Sequence, residues 1–175
     1  ETSASVMAAR LRIAPEKIDV IARGRDRRRL GERSEERRRQ ARQEFGEGPL
    51  VLAAARHFHL KGLDLLVDAF ARVAREVPEA RLVIAGRPGP ATEDLRRRME
   101  RGGIADRVIL AGYRDVVPEL MCAADVFVLP SRAEGSPGVL IEAMALEAPT
   151  VATDIPSVRE VAGDDPPTAL LCPPE

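Results

Sequence analysis

Apolar residues arrive in short unbroken runs: Ile18-Asp-Val-Ile21, Leu50-Val-Leu-Ala-Ala-Ala55, Leu82-Val-Ile-Ala85, Val108-Ile-Leu-Ala111, Val126-Phe-Val-Leu129, Thr150-Val-Ala-Thr153 and Ala169-Leu-Leu-Cys172. Continuous runs mark strands covered on both faces, because a strand with one wet face alternates apolar and polar positions. Between the runs the apolar period lengthens to that of a helix. Leu63, Leu66, Val67, Phe70, Val73, Ala74 and Val77 share one face, and Pro78 ends that helix. Thr92, Glu93 and Asp94 open a second helix, which Gly102-Gly103 stops. Asp115 is expected to cap a third running to Ala124, Pro137 to open a fourth and Pro156 a short fifth. The alternation predicts an α/β fold, a doubly wound, mostly parallel, Rossmann-like sheet of about six strands. Residues 1–14 read as the tail of a preceding domain, with a helix from Glu1 to Arg12, and 15–175 as the folded unit.

Composition narrows the class. A chain of 175 residues suits one domain. Arg, Asp, Glu or Pro interrupts every apolar run before the ~20 residues a bilayer span needs. The start, Glu1-Thr-Ser-Ala-Ser-Val-Met7, lacks the basic and apolar regions of a signal peptide, and it reads as part of a longer protein. Cys122 and Cys172 show no metal spacing and fit reduced thiols in a cytoplasmic protein. His57 and His59 flank Phe58 at a strand exit without a third ligand nearby, so no metal site is expected, though one of them can face a ligand there.

The net charge of -1 gives no global attraction to nucleic acid or acidic lipid. Locally the balance differs, with ten arginines between Arg23 and Arg42. Ser34 can cap a helix there, with Glu35 and Glu36 in its first turn. A solvated helix is one reading of this stretch. The other is a basic surface docking on a partner domain or on anionic lipid at the inner face of a membrane. The absence of an aromatic residue argues against nucleic acid.

Three clusters follow strand ends on the edge where α/β sheets bind ligands. Arg56 and Lys61, followed by Gly62, can both reach a diphosphate, the arginine as a bidentate donor and the lysine as a point charge. They can equally be ordinary surface cations, but Lys17 and Lys61 are the only lysines among 27 cationic residues. Gly86-Arg-Pro-Gly89 and Gly112-Tyr113 offer glycines that let backbone approach a planar group, or that merely build turns. The third cluster is Glu134-Gly-Ser-Pro-Gly-Val-Leu-Ile-Glu142, a turn leading into a helix whose first amides and dipole favour an anion. A carboxylate near a diphosphate is repelled by ~4 kcal/mol per charge pair at 4 Å and a dielectric of 20. Both glutamates make sense if the ligand also carries hydroxyls, as a nucleotide sugar does. Glu142 sits in an otherwise apolar helix and needs a partner there.

These motifs, with Pro15-Glu-Lys-Ile-Asp-Val-Ile21, Ala124-Asp-Val-Phe-Val-Leu-Pro-Ser131, Glu142-Ala-Met-Ala145 and Pro149-Thr-Val-Ala-Thr-Asp154, follow one another in an order that resembles the C-terminal half of group 1 retaining GT-B glycosyltransferases. The resemblance implies a donor half that binds a UDP- or GDP-type sugar as substrate, with no cofactor and no metal. It implies that Arg56 and Lys61 bind the diphosphate and stabilise the departing nucleotide. Glu134 is implied to hold sugar hydroxyls near the anomeric carbon, and the amides from Ser136 through Pro137 and Gly138 to Val139 to face sugar and phosphate. Glu142 is implied on the ribose, with Gly86, Gly112 and Tyr113 around the base. An acceptor glycan or lipid belongs to an N-terminal domain absent from this chain, so the chain is expected to bind nucleotide without turnover.

The chain departs from the family at Arg23-Gly-Arg-Asp26, where Asn-Gly-Val-Asp is frequent, at Ala55 and Glu147, where glycine is frequent, and at Ser136-Pro137, where Phe-Gly is commoner. Two other readings share the fold: a nucleotide-sugar epimerase half, with His57 or His59 as its acid–base group, and a non-catalytic nucleotide-binding or membrane-docking module. No G-x-G-x-x-G follows the first strand, which disfavours a dinucleotide oxidoreductase.

Overall fold

The computed structural model describes residues 3–19, 21, 24–163 and 168–175. Leu50–Ala54 (β1), Arg81–Ala85 (β2), Val108–Gly112 (β3), Val126–Leu129 (β4), Thr150–Thr153 (β5) and Leu170–Cys172 (β6) form one sheet in the order β3-β2-β1-β4-β5-β6. Every pairing is parallel. The helices are Ser3–Leu11 (α1), Arg27–Leu30 (α2), Glu35–Arg42 (α3), Leu63–Glu76 (α4), Thr92–Arg101 (α5), Val117–Ala123 (α6), Gly138–Ala145 (α7) and Pro156–Ala162 (α8).

The inner strands are largely apolar because each is covered twice, with Arg81 at the start of β2 and Thr150 and Thr153 at the ends of β5 as exceptions. Leu52, Val83 and Ala85 face a core shared with α6, α7 and α8, which contains Met121, Phe127, Leu140 and Val158. Ala53, Leu82 and Ile84 face the other core, against Leu63, Val67 and Phe70 of α4 and Leu95 of α5. The chain crosses from β3, at one edge, to β4, beside β1. Strand order therefore reverses between β1 and β4, which opens a crevice above their C-terminal ends.

Two expectations need correction. The run Ile18–Ile21 forms no strand among the described residues; Val20 lies outside them, and Ile21 is 90% exposed. Asp19 interrupts that run, and none of the run's described residues pairs with a strand of the sheet. Asp115 does not cap the third helix, which begins at Val117 after Val116 with no side-chain cap. Pro118 in the first turn, which lacks an N–H to satisfy, fixes that start instead. By contrast, Ser34 does cap α3, its Oγ accepting from the Arg37 amide at 3.2 Å.

The arginine-rich stretch is not simply solvated. Arg42 donates Nε to the Ala123 carbonyl at 2.7 Å and Nη1 to Gly48 at 2.5 Å, and it pairs with Asp125. Arg38 reaches the carbonyls of Ala123 and Ala124 at 3.3 Å, and Arg33 reaches Ala124 at 3.2 Å. These cations satisfy the unpaired carbonyls at the C-terminal, negative end of α6. Asp125 in turn accepts the Leu50 amide at 2.7 Å. Burial raises its pKa, but the Leu50 amide and then Arg38 and Arg42 outweigh burial and hold it below the usual carboxylate range. No helix among the described residues is long and apolar enough to cross a membrane.

Candidate functional site

Above the reversal lies a cleft of about 330 Å³, lined by Arg56 from the β1 exit, Gly86 and Arg87 after β2, Tyr113 and Arg114 after β3, and Val139 and Glu142 of α7. Backbone geometry explains its glycines. A Cβ at Gly86 would run into the Ala55 carbonyl, and the Gly86 amide donates to the Gly112 carbonyl at 2.7 Å. Gly112 has φ +66, the left-handed region that costs any side chain. The pairing of β2 with β3 also shifts register there, matching Ala85 with Gly112. The three strand exits are thus drawn together by residues without side chains.

Cations dominate the lining. The Arg56 guanidinium lies 5.1 Å from the Phe58 ring centroid, and Arg87 stacks 4.6 Å above Tyr113. Arg114 is tethered to the Ala111 carbonyl at 3.2 Å and pairs with Glu44. Arg56 makes no ion pair among the described residues, so its charge is free for an anion. At the mouth of α7 the Gly138 amide is taken by the Ser136 carbonyl at 2.8 Å, and Leu140 donates to Pro137 at 2.9 Å. The expected row of free amides from Ser136 to Val139 is therefore incomplete. The Val139 amide has no acceptor among the described residues.

Lys61 and Glu134 do not line the cleft; they bind each other. Lys61 Nζ donates to both carboxylate oxygens at 2.8 Å, and the fully buried Ser131 donates its hydroxyl to Glu134 Oε1 at 2.6 Å. The loops carrying them are welded together. Gly62, at φ +62, sits so close to Pro130 that a Cβ would overlap its carbonyl. The Arg132 amide donates to the Leu60 carbonyl at 2.9 Å, while its guanidinium donates to His59 at 2.8 Å and to both Asp64 oxygens at 2.7 and 2.9 Å. That hydrogen bond outweighs burial and holds the Asp64 carboxyl below its ordinary value, and it raises Arg132 further.

Of the residues expected to share a site, Arg56, Gly86, Tyr113, Val139 and Glu142 meet in the cleft. Gly112 supports it from the backbone, while Ser136, Pro137 and Gly138 form the entry to α7. His57 serves the fold instead. It is buried, with Nδ1 3.0 Å from Thr92 Oγ1, which itself accepts the Gly89 amide at 2.9 Å. Burial, then the charge of Arg96, pushes its pKa down and keeps it neutral. Among the described residues no group of three or more His, Cys, Asp or Glu side chains could hold a metal ion.

Sequence reasoning missed Arg25, Arg87, Arg114 and Ser131. Arg87 and Arg114 could have been found as neighbours of the glycines at two strand exits. Ser131 could have been found as the first polar residue past the end of β4. Arg25 carries no such signal, since it reaches Glu142 from 117 positions away, Nε to Oε1 at 2.5 Å.

The family model for glycosyl transferases group 1 matches residues 48–175. The 2-deoxystreptamine glucosyltransferase of Streptomyces kanamyceticus is 30% identical over 99% of this chain and 46% of its own length. Mannosylfructose-phosphate synthase of Agrobacterium fabrum is 39% identical over 78% of this chain and 32% of its own. Anabaena HepE, solved in complex with UDP-glucose, superposes with a TM-score of 0.86 at 26% identity, covering 99% of this chain and 48% of that one. The chain thus spans less than half the length of these relatives. By sequence and by fold alike, it belongs to the group 1 glycosyltransferases, as one Rossmann-like unit of the GT-B architecture.

Proposed function

We propose that residues 15–175 are the donor-binding half of a retaining glycosyltransferase, whose cleft takes a nucleoside-diphosphate sugar of UDP or GDP type. The observation that carries this reading is the cleft itself: unpaired cation, stacked aromatic and carboxylate converge where the strand order reverses. Arg56 binds the diphosphate and neutralises charge as the sugar–phosphate bond breaks. Tyr113 and the glycine-lined backbone of Gly86 and Gly112 accept the base, and Glu142 accepts the ribose hydroxyls. The Val139 amide and the dipole of α7 favour the phosphate. Lys61 and Glu134, which bind each other outside the cleft lining, are assigned to its sugar end, Glu134 offering its remaining lone pairs to the sugar hydroxyls and Lys61 offsetting charge toward the diphosphate. The HepE complexes with UDP and with UDP-glucose support a nucleotide-sugar donor. An acceptor glycan or lipid is supplied by another domain. Free cysteines, one of them exposed, fit a cytoplasmic setting.

The test is a thermal titration of the chain with UDP, GDP and ADP. At a hundredfold excess over Kd the preferred nucleotide adds about 2.7 kcal/mol. For a domain of this size that raises Tm by roughly 5–10 °C. Arg56→Met, an exposed change, weakens binding by roughly tenfold or more while leaving the unliganded Tm in place. No response to any of the three nucleotides sinks the reading.

A further inference from the structure

Glu142 is not free to point where it likes. Arg25, just before α2, donates Nε to Glu142 Oε1 at 2.5 Å and Nη1 to the Gly24 carbonyl at 3.1 Å. The Nη2 end lies over Gly138 so closely that any side chain there would displace it. The two side chains are only 17% and 23% exposed, so water screens the pair weakly and one rotamer of each is fixed. This contact uses one carboxylate oxygen. Oε2 has no partner among the described residues, while Glu142 lines the cleft.

We propose that Arg25 is a positioning residue of the nucleotide site: it anchors Oε1 of Glu142 so that Oε2 is held ready for the vicinal diol of the ribose. The inference rests on the nucleotide reading of the cleft given above. Arg25 acts by removing rotamer freedom of Glu142 that binding of the diol would otherwise have to remove. A segment distant in sequence thereby becomes part of the site without touching the ligand.

The experiment compares UDP, GDP and ADP with their 2′,3′-dideoxy counterparts by calorimetry on wild type, Arg25→Met, Glu142→Gln and the double variant. Arg25→Met should weaken the preferred nucleotide about tenfold and its dideoxy form no more than about twofold. Glu142→Gln should show the same selective loss, and adding Arg25→Met to it should cost little more. Equal losses for both ligands would mean that Arg25 serves only the fold or the phosphates, and would overturn the proposal. Tighter binding in Arg25→Met would overturn it too, showing Arg25 to be a competitor for Glu142. If Arg25→Met fails to fold, Glu142→Gln decides alone: an equal loss for both ligands sinks the diol contact that Arg25 is said to prepare. A wild type that binds none of the nucleotides removes the site reading itself, an outcome distinct from the others.

Discussion

Glu147 follows the C-cap of α7 with φ +53, a left-handed conformation that a glutamate adopts at a cost of roughly 1 kcal/mol. Its backbone is held there because its amide donates to Met144 at 3.0 Å and its carbonyl accepts Arg33 at 3.1 Å. Neither bond needs the side chain, which is exposed. Glu147→Gly should therefore stabilise the protein, the relieved strain exceeding the added freedom of the unfolded chain. The expected gain is about 0.5–1 kcal/mol, read as a rise of roughly 1–4 °C in Tm; an unchanged or lowered Tm would show that the side chain has a role of its own. This site was legible in the sequence, since Leu146-Glu-Ala-Pro149 puts Glu147 where relatives often carry glycine. The link between Arg25 and Glu142 was not. A linker side chain leaves no periodicity, and only the folded path of the chain decides which carboxylate it meets.

The basic stretch from Arg23 to Arg42 shows what a helix pattern conceals. Its density of arginine suggested either a wet face or a docking surface, and both readings treat the cations as outward. Several turn inward instead, because α6 ends beside α3 with its last carbonyls unpaired and Asp125 close by. No local signal in α6 announces this, since its carbonyls lie on the backbone. The helix and its Ser34 cap were readable; the partner across the packing boundary was not. The two kinds of arginine should separate in mutagenesis. The Arg42 side chain is 9% exposed and donates to the carbonyls of Ala123, Gly46 and Gly48 and to the Asp125 carboxylate, so Arg42→Met takes a donor from all four, the buried Ala123 carbonyl among them. The cost should be roughly 3 kcal/mol in urea unfolding. Arg39, 72% exposed and, among the described residues, paired only with Glu36 three residues back, should cost under about 0.5 kcal/mol when changed to Met. Similar costs for the two would refute the inward role of Arg42.

The molecule divides into a doubly covered sheet and an N-terminal extension that adds little to it. All six strands and every helix from α4 onward were foreseeable, because two-sided burial writes a continuous apolar run into each inner strand. Strand order was not, because no residue encodes the crossover from β3 to a place beside β1; packing of α6 against the opposite face sets it. The cleft exists only because of that crossover, which is why its members looked like three separate clusters. The extension behaves differently. Met7 and Leu11 of α1 are 50% and 56% exposed, and Ile13 after it is 37% exposed, so these apolar groups find no core in this chain. A helix of nine residues without such packing is marginal in water. We therefore expect a chain beginning at residue 14 to unfold within about 0.5 kcal/mol of the whole chain. The amides of α1 should exchange with solvent nearly as fast as in a free peptide, while those of β1, β2 and β4 exchange only on global unfolding. A loss above roughly 1 kcal/mol on truncation would mean that α1 packs on the sheet, and would return residues 1–14 to the folded unit.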